Sequence, residues 1–277
     1  MKLFYKVHGL GNDFVLFDGR NDPETDWNAL TVRVCDRHTG VGADGTLILL
    51  NSDVADVRMR IINADGSEAE MCGNGIRAFA RFAFENGIVH GTEFAVETGA
   101  GIMKPRVILK DGHVDGVRVD MGMPLLDAKD VPVDVENRAL DLSLTADGRT
   151  FTFSSVRVGV PHTIVFVDSI TDEDVLHYGP LIERDPLFPE RTNVDFVEIL
   201  GLDRIKMRTW ERGAGRTLAC GTGACSAVVA AVLGGKVDRN TAVEIDLGTL
   251  NIEWSAADNH VYMTGPAEIV FSGVWYD

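Results

Sequence analysis

Two cysteines stand in matching surroundings far apart in the chain. Cys72 precedes Gly73-Asn74-Gly75, and Cys220 precedes Gly221-Thr222-Gly223. Each opens a stretch rich in alanine and other apolar residues, which places each sulfur at a helix entrance. The unbonded N–H groups of a first helical turn carry partial positive charge, so a thiol there should ionise more easily. The glycines let a ligand approach the backbone closely, and an anionic group could rest on the same N–H donors.

What reaction wants two such sulfurs? Nucleophilic catalysis needs one cysteine with a histidine base. Disulfide exchange usually takes the form Cys-x-x-Cys, which is absent here. Inversion of a carbon centre wants two bases on opposite faces: one thiolate removes the α-proton and the opposing thiol returns one. A matched pair suits this best. With each sulfur about 3.5 Å from the reacting carbon, the two should lie roughly 7 Å apart, too far for a disulfide without movement. Zinc is disfavoured by the spacing. Cys35 and Cys225 read as buried hydrophobes, Cys225 lying off the helix face of Cys220.

The elements that position the sulfurs read as a duplication. A shift of 148 positions puts Cys72 on Cys220, Gly73 on Gly221, Gly75 on Gly223, Gly87 on Gly235, and Asn63 on Glu211. Further upstream, a shift of 150 puts Gly9 on Gly159 and aligns Phe14–Asp18 with Ile164–Asp168. Strand patterns cover residues 59–62, 94–98, 106–109, 114–119, 151–158, 205–210, 242–247 and 261–263. The two helices after the cysteines are apolar nearly all round, so each should thread the middle of a curved sheet. Gly87 and Gly234-Gly235 are expected stops. Asp26 should cap a helix running through Cys35, and Thr171 another with Asp174 at the reciprocal position. Gly40-Val41-Gly42-Ala43-Asp44-Gly45 has dinucleotide-fingerprint spacing but runs into a strand, so it reads as a tight turn. The expected fold is α/β, of α+β type: two pseudo-symmetric domains, each a curved mixed sheet or barrel around a central helix, with the active site in the inter-domain cleft. The expected domains are 1–121 with a returning C-terminal strand, 265–277, and 122–264.

Composition is that of a globular protein, 45% hydrophobic and 25% charged over 277 residues. A net charge of −16 disfavours nucleic acid and anionic membranes as partners. No stretch reads as a signal peptide or a membrane span, and four scattered cysteines do not make a secreted disulfide scaffold, so the expected location is cytoplasmic.

The motifs Met71-Cys72-Gly73-Asn74-Gly75, Glu211-Arg212-Gly213-Ala214-Gly215 and Ala219-Cys220-Gly221-Thr222-Gly223 resemble those of the diaminopimelate epimerase family. His8–Phe14, Asn63–Glu68 and Pro189–Asn193 extend the likeness over essentially the whole chain. The resemblance implies cofactor-independent, two-base interconversion of LL- and meso-diaminopimelate, in lysine and cell-wall precursor biosynthesis. It makes Cys72 and Cys220 the acid–base pair, with Glu211 and His162 tuning their protonation. Arg212, with the backbone at Gly73-Asn74 and Gly221-Thr222, would hold a substrate carboxylate; Asn12, Asn63 and Asn193 would fix polar groups, and Glu211 would also line the site. No metal or cofactor is implied. The partner is a small amino-acid substrate, and a homodimer stays open.

Two positions depart from the family pattern: Val160 stands where many members have asparagine, and Gly45 where some have glutamine. On residue type alone, His162 could equally be a core histidine, and Asn12 and Asn193 turn residues. The nearest rival is a proline racemase or hydroxyproline epimerase, whose members typically carry histidine where Asn74 stands. A thiol redox or metal-binding protein is the rival of another class. Pyridoxal phosphate offers another route to the same epimerisation.

Overall fold

A computed structural model of the chain describes residues 1–276. It forms two compact units, Met1–Asp120 together with the segment from Thr264 onward, and Met121–Met263. Each is mixed α/β and holds one buried central helix.

The first unit runs β1 (Lys2–Gly9), β2 (Asn12–Asp18), α1 (Trp27–Cys35), β3 (Gly45–Leu50), β4 (Val57–Asn63), β5 (Glu68–Ala69), α2 (Gly73–Glu85), β6 (Val96–Thr98), β7 (Gly101–Met103) and the hairpin β8 (Arg106–Lys110) and β9 (His113–Asp120). The second runs β10 (Leu142–Ala146), β11 (Arg149–Val158), β12 (Val160–Phe166), a π-helical turn (Asp174–Tyr178) leading into α3 (Gly179–Glu183), β13 (Asn193–Gly201), β14 (Arg204–Glu211), β15 (Gly215–Thr217), α4 (Gly221–Leu233), β16 (Asn240–Ile245), β17 (Gly248–Trp254) and β18 (Val261–Gly265). The chain then returns to the first unit as β19 (Glu268–Trp275), antiparallel to β1 with Leu3 opposite Val274.

Sheet order in the first unit is β19-β1-β2-β3-β4-β6-β7, with β5 on β4. Helix α2 touches strands from β19 to β4 as well as the β8–β9 hairpin, so the sheet must curl around it. Its buried residues include Ile76, Ala78, Phe79, Ala80, Phe82 and Ala83, as an all-round apolar helix requires. In the second unit the order β10-β11-β12-β13-β14-β16-β17-β18 wraps α4, which is buried from Gly223 to Ala231. Outside each sheet a second apolar layer forms: Trp27, Leu30 and Val34 of α1 against Val15, Phe17 and Ile48, and Val175, Tyr178 and Ile182 against Phe151, Phe153 and Phe196.

The caps follow the sequence. Asp26 accepts the Ala29 N–H at 3.0 Å. Thr171 and Asp174 exchange bonds, 2.8 Å from the Thr171 N–H and 3.1 Å back to the Thr171 hydroxyl. Gly87 and Gly235 adopt φ of 63° and 65° past the ends of α2 and α4, where a residue with a Cβ would be strained. The segment Gly40–Gly45 is a turn into β3, as its surroundings predict.

Strand register measures the duplication independently of residue identity. Thr46 faces Ile62, and Val194 faces Trp210; Ile61 faces Ala69, and Thr209 faces Thr217. Each second pair lies 148 residues after the first. The same holds for Phe14 opposite Gly45 and His162 opposite Asn193. This corrects the alignment of Phe14 with Ile164: the counterpart of Phe14 is His162. The glycine match misled because the turns differ, with Leu10-Gly11 joining β1 to β2 and Gly159 alone joining β11 to β12.

Candidate active site

Cys72 is the N-cap of α2, in extended conformation (φ −144°, ψ 120°), and its sulfur accepts the Gly75 N–H at 3.4 Å. Its Sγ–H points to Asn12 Oδ1 at 3.6 Å. Asn12 sits where β2 begins, and its Oδ1 also accepts from Asn74 Nδ2 at 3.2 Å, while its Nδ2 donates to Asp44 at 2.8 Å. Asn74 is held in turn by Arg77, 2.9 Å away, whose guanidinium also reaches the Gly73 and Pro266 carbonyls. Arg77 is fully buried. Cys72, Gly73, Asn74 and Asn12 therefore come together at one helix entrance. Asn63 is exposed at the end of β4, opposite Gly45, and donates to Ser67 at 3.0 Å.

Cys220 is the N-cap of α4 in a similar extended conformation (φ −130°, ψ 106°), but its surroundings differ. Its sulfur lies 3.4 Å from the Thr222 hydroxyl, which lies 3.0 Å from His162 Nε2. His162 Nδ1 is 2.7 Å from Asp195 Oδ2, and the other Asp195 oxygen accepts the Thr209 hydroxyl at 2.6 Å. Both His162 and Asp195 are fully buried. Glu211, at the end of β14, accepts the Thr217 hydroxyl at 2.6 Å. Asn193 is almost buried, and both ends of its amide are engaged: Nδ2 donates to the Pro161 carbonyl and Oδ1 accepts the Arg212 N–H, each at 2.9 Å. The Arg212 side chain is exposed and donates to the Glu190 carbonyl at 2.6 Å.

The electrostatics correct one expectation. Burial pushes the Cys220 thiol well above its ordinary range, and the Glu211 and Asp195 charges push it further. Desolvation of a thiolate outweighs the partial charge of the helix terminus. Burial likewise raises the Glu211 carboxyl, although the hydrogen bond from the Thr217 hydroxyl pulls it down. Cys35 and Cys225 are buried, and burial drives Cys35 up to about 12. None of the four cysteines is joined in a disulfide. Among the described residues no cluster of three or more His, Cys, Asp or Glu side chains could hold a metal ion.

The departures at Gly45 and Val160 have local explanations. A Cβ on Gly45 would sit 2.6 Å from the Ile62 carbonyl, so no side chain fits without a backbone shift. Val160 is exposed in the hairpin turn beside Gly159. Asp195, Thr209, Thr217 and Arg77 were not singled out from the sequence. A lone carboxylate in the apolar run Val194–Val197, and a lone cation between Ile76 and Ala78, were the signals.

Two sheets, each wrapping a buried helix, make a fold also found in a hydroxyproline epimerase and in a phenazine biosynthesis protein. A hydroxyproline epimerase from Agrobacterium vitis matches it with a TM-score of 0.70 at 17% identity, over 98% of this chain and 90% of that one. A PhzF-family phenazine biosynthesis protein from Bacillus anthracis also gives 0.70, at 16% identity and 98% of both chains. Sequence narrows the class. The diaminopimelate epimerase family model matches residues 4–126 and 154–270. The diaminopimelate epimerase of Moorella thermoacetica is 51% identical over 98% of both chains, and that of Synechocystis is 49% identical over 98% of this chain and 97% of its own. The chain belongs to the diaminopimelate epimerase family, as its motifs implied.

Proposed function

We propose that the chain interconverts LL- and meso-diaminopimelate without a cofactor, by proton exchange between the α-carbon and the sulfurs of Cys72 and Cys220. The observation that carries this reading is the placement of both cysteines at equivalent N-caps of duplicated units, 148 residues apart in a matching strand register. Inversion of the α-carbon needs a thiolate to take the proton on one face and a thiol to return one on the other. The N–H groups at Gly73-Asn74 and Gly221-Thr222, with Arg212, take the substrate carboxylate. Asn12 steadies the Cys72 proton, Glu211 and His162 set the charge around Cys220, and Asn63 and Asn193 shape the polar walls. The raised Cys220 thiol suits the proton-donating role at rest, and Cys72 then starts as the base. The reaction belongs to lysine and cell-wall precursor synthesis, and the protein works in the cytoplasm.

A homodimer is part of the same proposal. Strand β19 is a sheet edge, where unpaired backbone groups can template another chain. Leu3 and Val274, paired across β1 and β19, are 55% and 46% exposed on it.

The deciding experiment is substitution of either cysteine by serine, assayed with diaminopimelate and with proline. A serine hydroxyl is far too weak an acid to yield the base, so each variant should lose epimerisation. Each should still exchange the α-proton of one stereoisomer with deuterium. Epimerisation surviving in either variant, or turnover of proline alone, would overturn the reading.

A further inference from the structure

The two units share a scaffold but not the groups beneath their cysteines. His162 and Asp195 correspond to Phe14 and Leu47, 148 positions earlier. The space around the helix glycines says the same. A Cβ on Gly75 would meet Leu47, whereas a Cβ on Gly223 would meet Asp195 and His162. The fold thus closes with apolar side chains at these two positions. A buried imidazole–carboxylate pair carries a desolvation cost that the scaffold does not require. Its presence beside Cys220 calls for a chemical reason.

The hydrogen bonds give a direction. A carboxylate can only accept, so the Thr209 hydroxyl donates to one Asp195 oxygen and His162 Nδ1–H to the other. Nδ1 then holds the proton of the neutral ring, and Nε2 is left as an acceptor facing the Thr222 hydroxyl at 3.0 Å. The Thr222 oxygen in turn lies 3.4 Å from the Cys220 sulfur. We propose that Asp195 is a positioning residue for proton exchange at Cys220: it holds His162 so that Nε2 takes the Thr222 hydroxyl proton as that oxygen takes the Cys220 Sγ proton.

The step balances. The S–H bond breaks, an N–H bond forms on Nε2, and threonine loses one proton and gains one. The products are a Cys220 thiolate and a His162 imidazolium paired with the Asp195 carboxylate. Run backwards, the same chain restores the thiol. A buried thiol that must act as base in one direction gains an acceptor along this chain, without water entering.

This inference rests on the reading of Cys220 as an acid–base sulfur, and the test separates the two. Asp195→Asn, Thr222→Val and the double variant are assayed in both directions, with kcat and KM resolved. Asp195→Asn and Thr222→Val are each expected to lower kcat about 10- to 100-fold, with a smaller change in KM, and to lower kcat/KM equally in both directions, because the substrate equilibrium fixes that ratio. The double variant should be no worse than the weaker single one, because both cut one chain; independent structural damage would multiply. The proton resonance of His162 Nδ1–H should shift markedly in Asp195→Asn. Should that variant fold poorly, His162→Phe with Asp195→Leu copies the other unit. It should fold and lose the same activity. Full kcat in a folded Asp195→Asn or Phe/Leu variant, or multiplicative losses, would overturn the inference while Cys220→Ser stays inactive. An active Cys220→Ser would remove the underlying reading itself.

Discussion

Gly75 and Gly223 occupy the same place in the two units, the third residue of the central helix, yet alanine should be tolerated at one and not the other. A Cβ on Gly223 would lie 2.7 Å from Asp195 Oδ1 and 3.2 Å from His162 Cε1. Asp195 is buried and held at 2.6 Å by Thr209 and 2.7 Å by His162. It cannot swing aside without breaking a hydrogen bond to a charged group, worth about 1.5–3 kcal/mol. Forcing a methyl into a packed interior costs about 1–3 kcal/mol. Alanine recovers about 0.5–1 kcal/mol over glycine in a helix. The second unit should therefore lose about 1–2 kcal/mol, a fall in Tm of about 2–8 °C for a body of this size. At Gly75 the nearest atom is Leu47 Cδ2 at 3.2 Å, the end of a flexible side chain, and Cys72 Cβ follows at 3.4 Å. The strain there should be small enough for the helix gain to cancel it, leaving Tm within about 2 °C. Differential scanning calorimetry of the two variants reads the difference. Epimerisation by Gly223→Ala should also fall at least about tenfold, since His162 is displaced. Equal melting of both variants with undiminished turnover at Gly223→Ala would refute the rigid Asp195–His162 pair.

Two other outcomes are expected. Burial raises the Glu211 carboxyl in the folded state, so its contribution to stability is full below the unfolded value near 4.5 and is lost as pH rises through the folded value. Glu211→Gln should match the parent in acid-side melts and exceed it at neutral pH, while epimerisation falls by about 100-fold or more; a neutral-pH melt no higher than the parent's would contradict the buried charge. Val274→Glu should convert a two-chain species to a single chain in sedimentation equilibrium. A parent that already sediments as one chain would dispose of the β19 contact.

The two matched cysteines were legible because their signals are local. A cysteine before two glycines and an apolar run can be read within a few positions, and so can the caps at Asp26 and Thr171. The repeat was also visible, since both helices kept one spacing, but its register upstream was not. A turn glycine attracted the alignment, and only the pairing of β2 with β3 and β12 with β13 placed Phe14 opposite His162 in the repeat.

What the sequence determined by itself was the family, the two matched cysteines and the helices they open, because residue type and period act along the chain. The tertiary structure decided the surroundings of each sulfur. It buried Cys220 and put Glu211, His162 and Asp195 around it from three strands, and gave Cys72 the amide of Asn12, itself bonded to Asn74, which a buried Arg77 holds. Solvation and charge depend on what lies within a few ångströms in space, and neighbours separated by tens of residues meet only when the sheet closes around its helix.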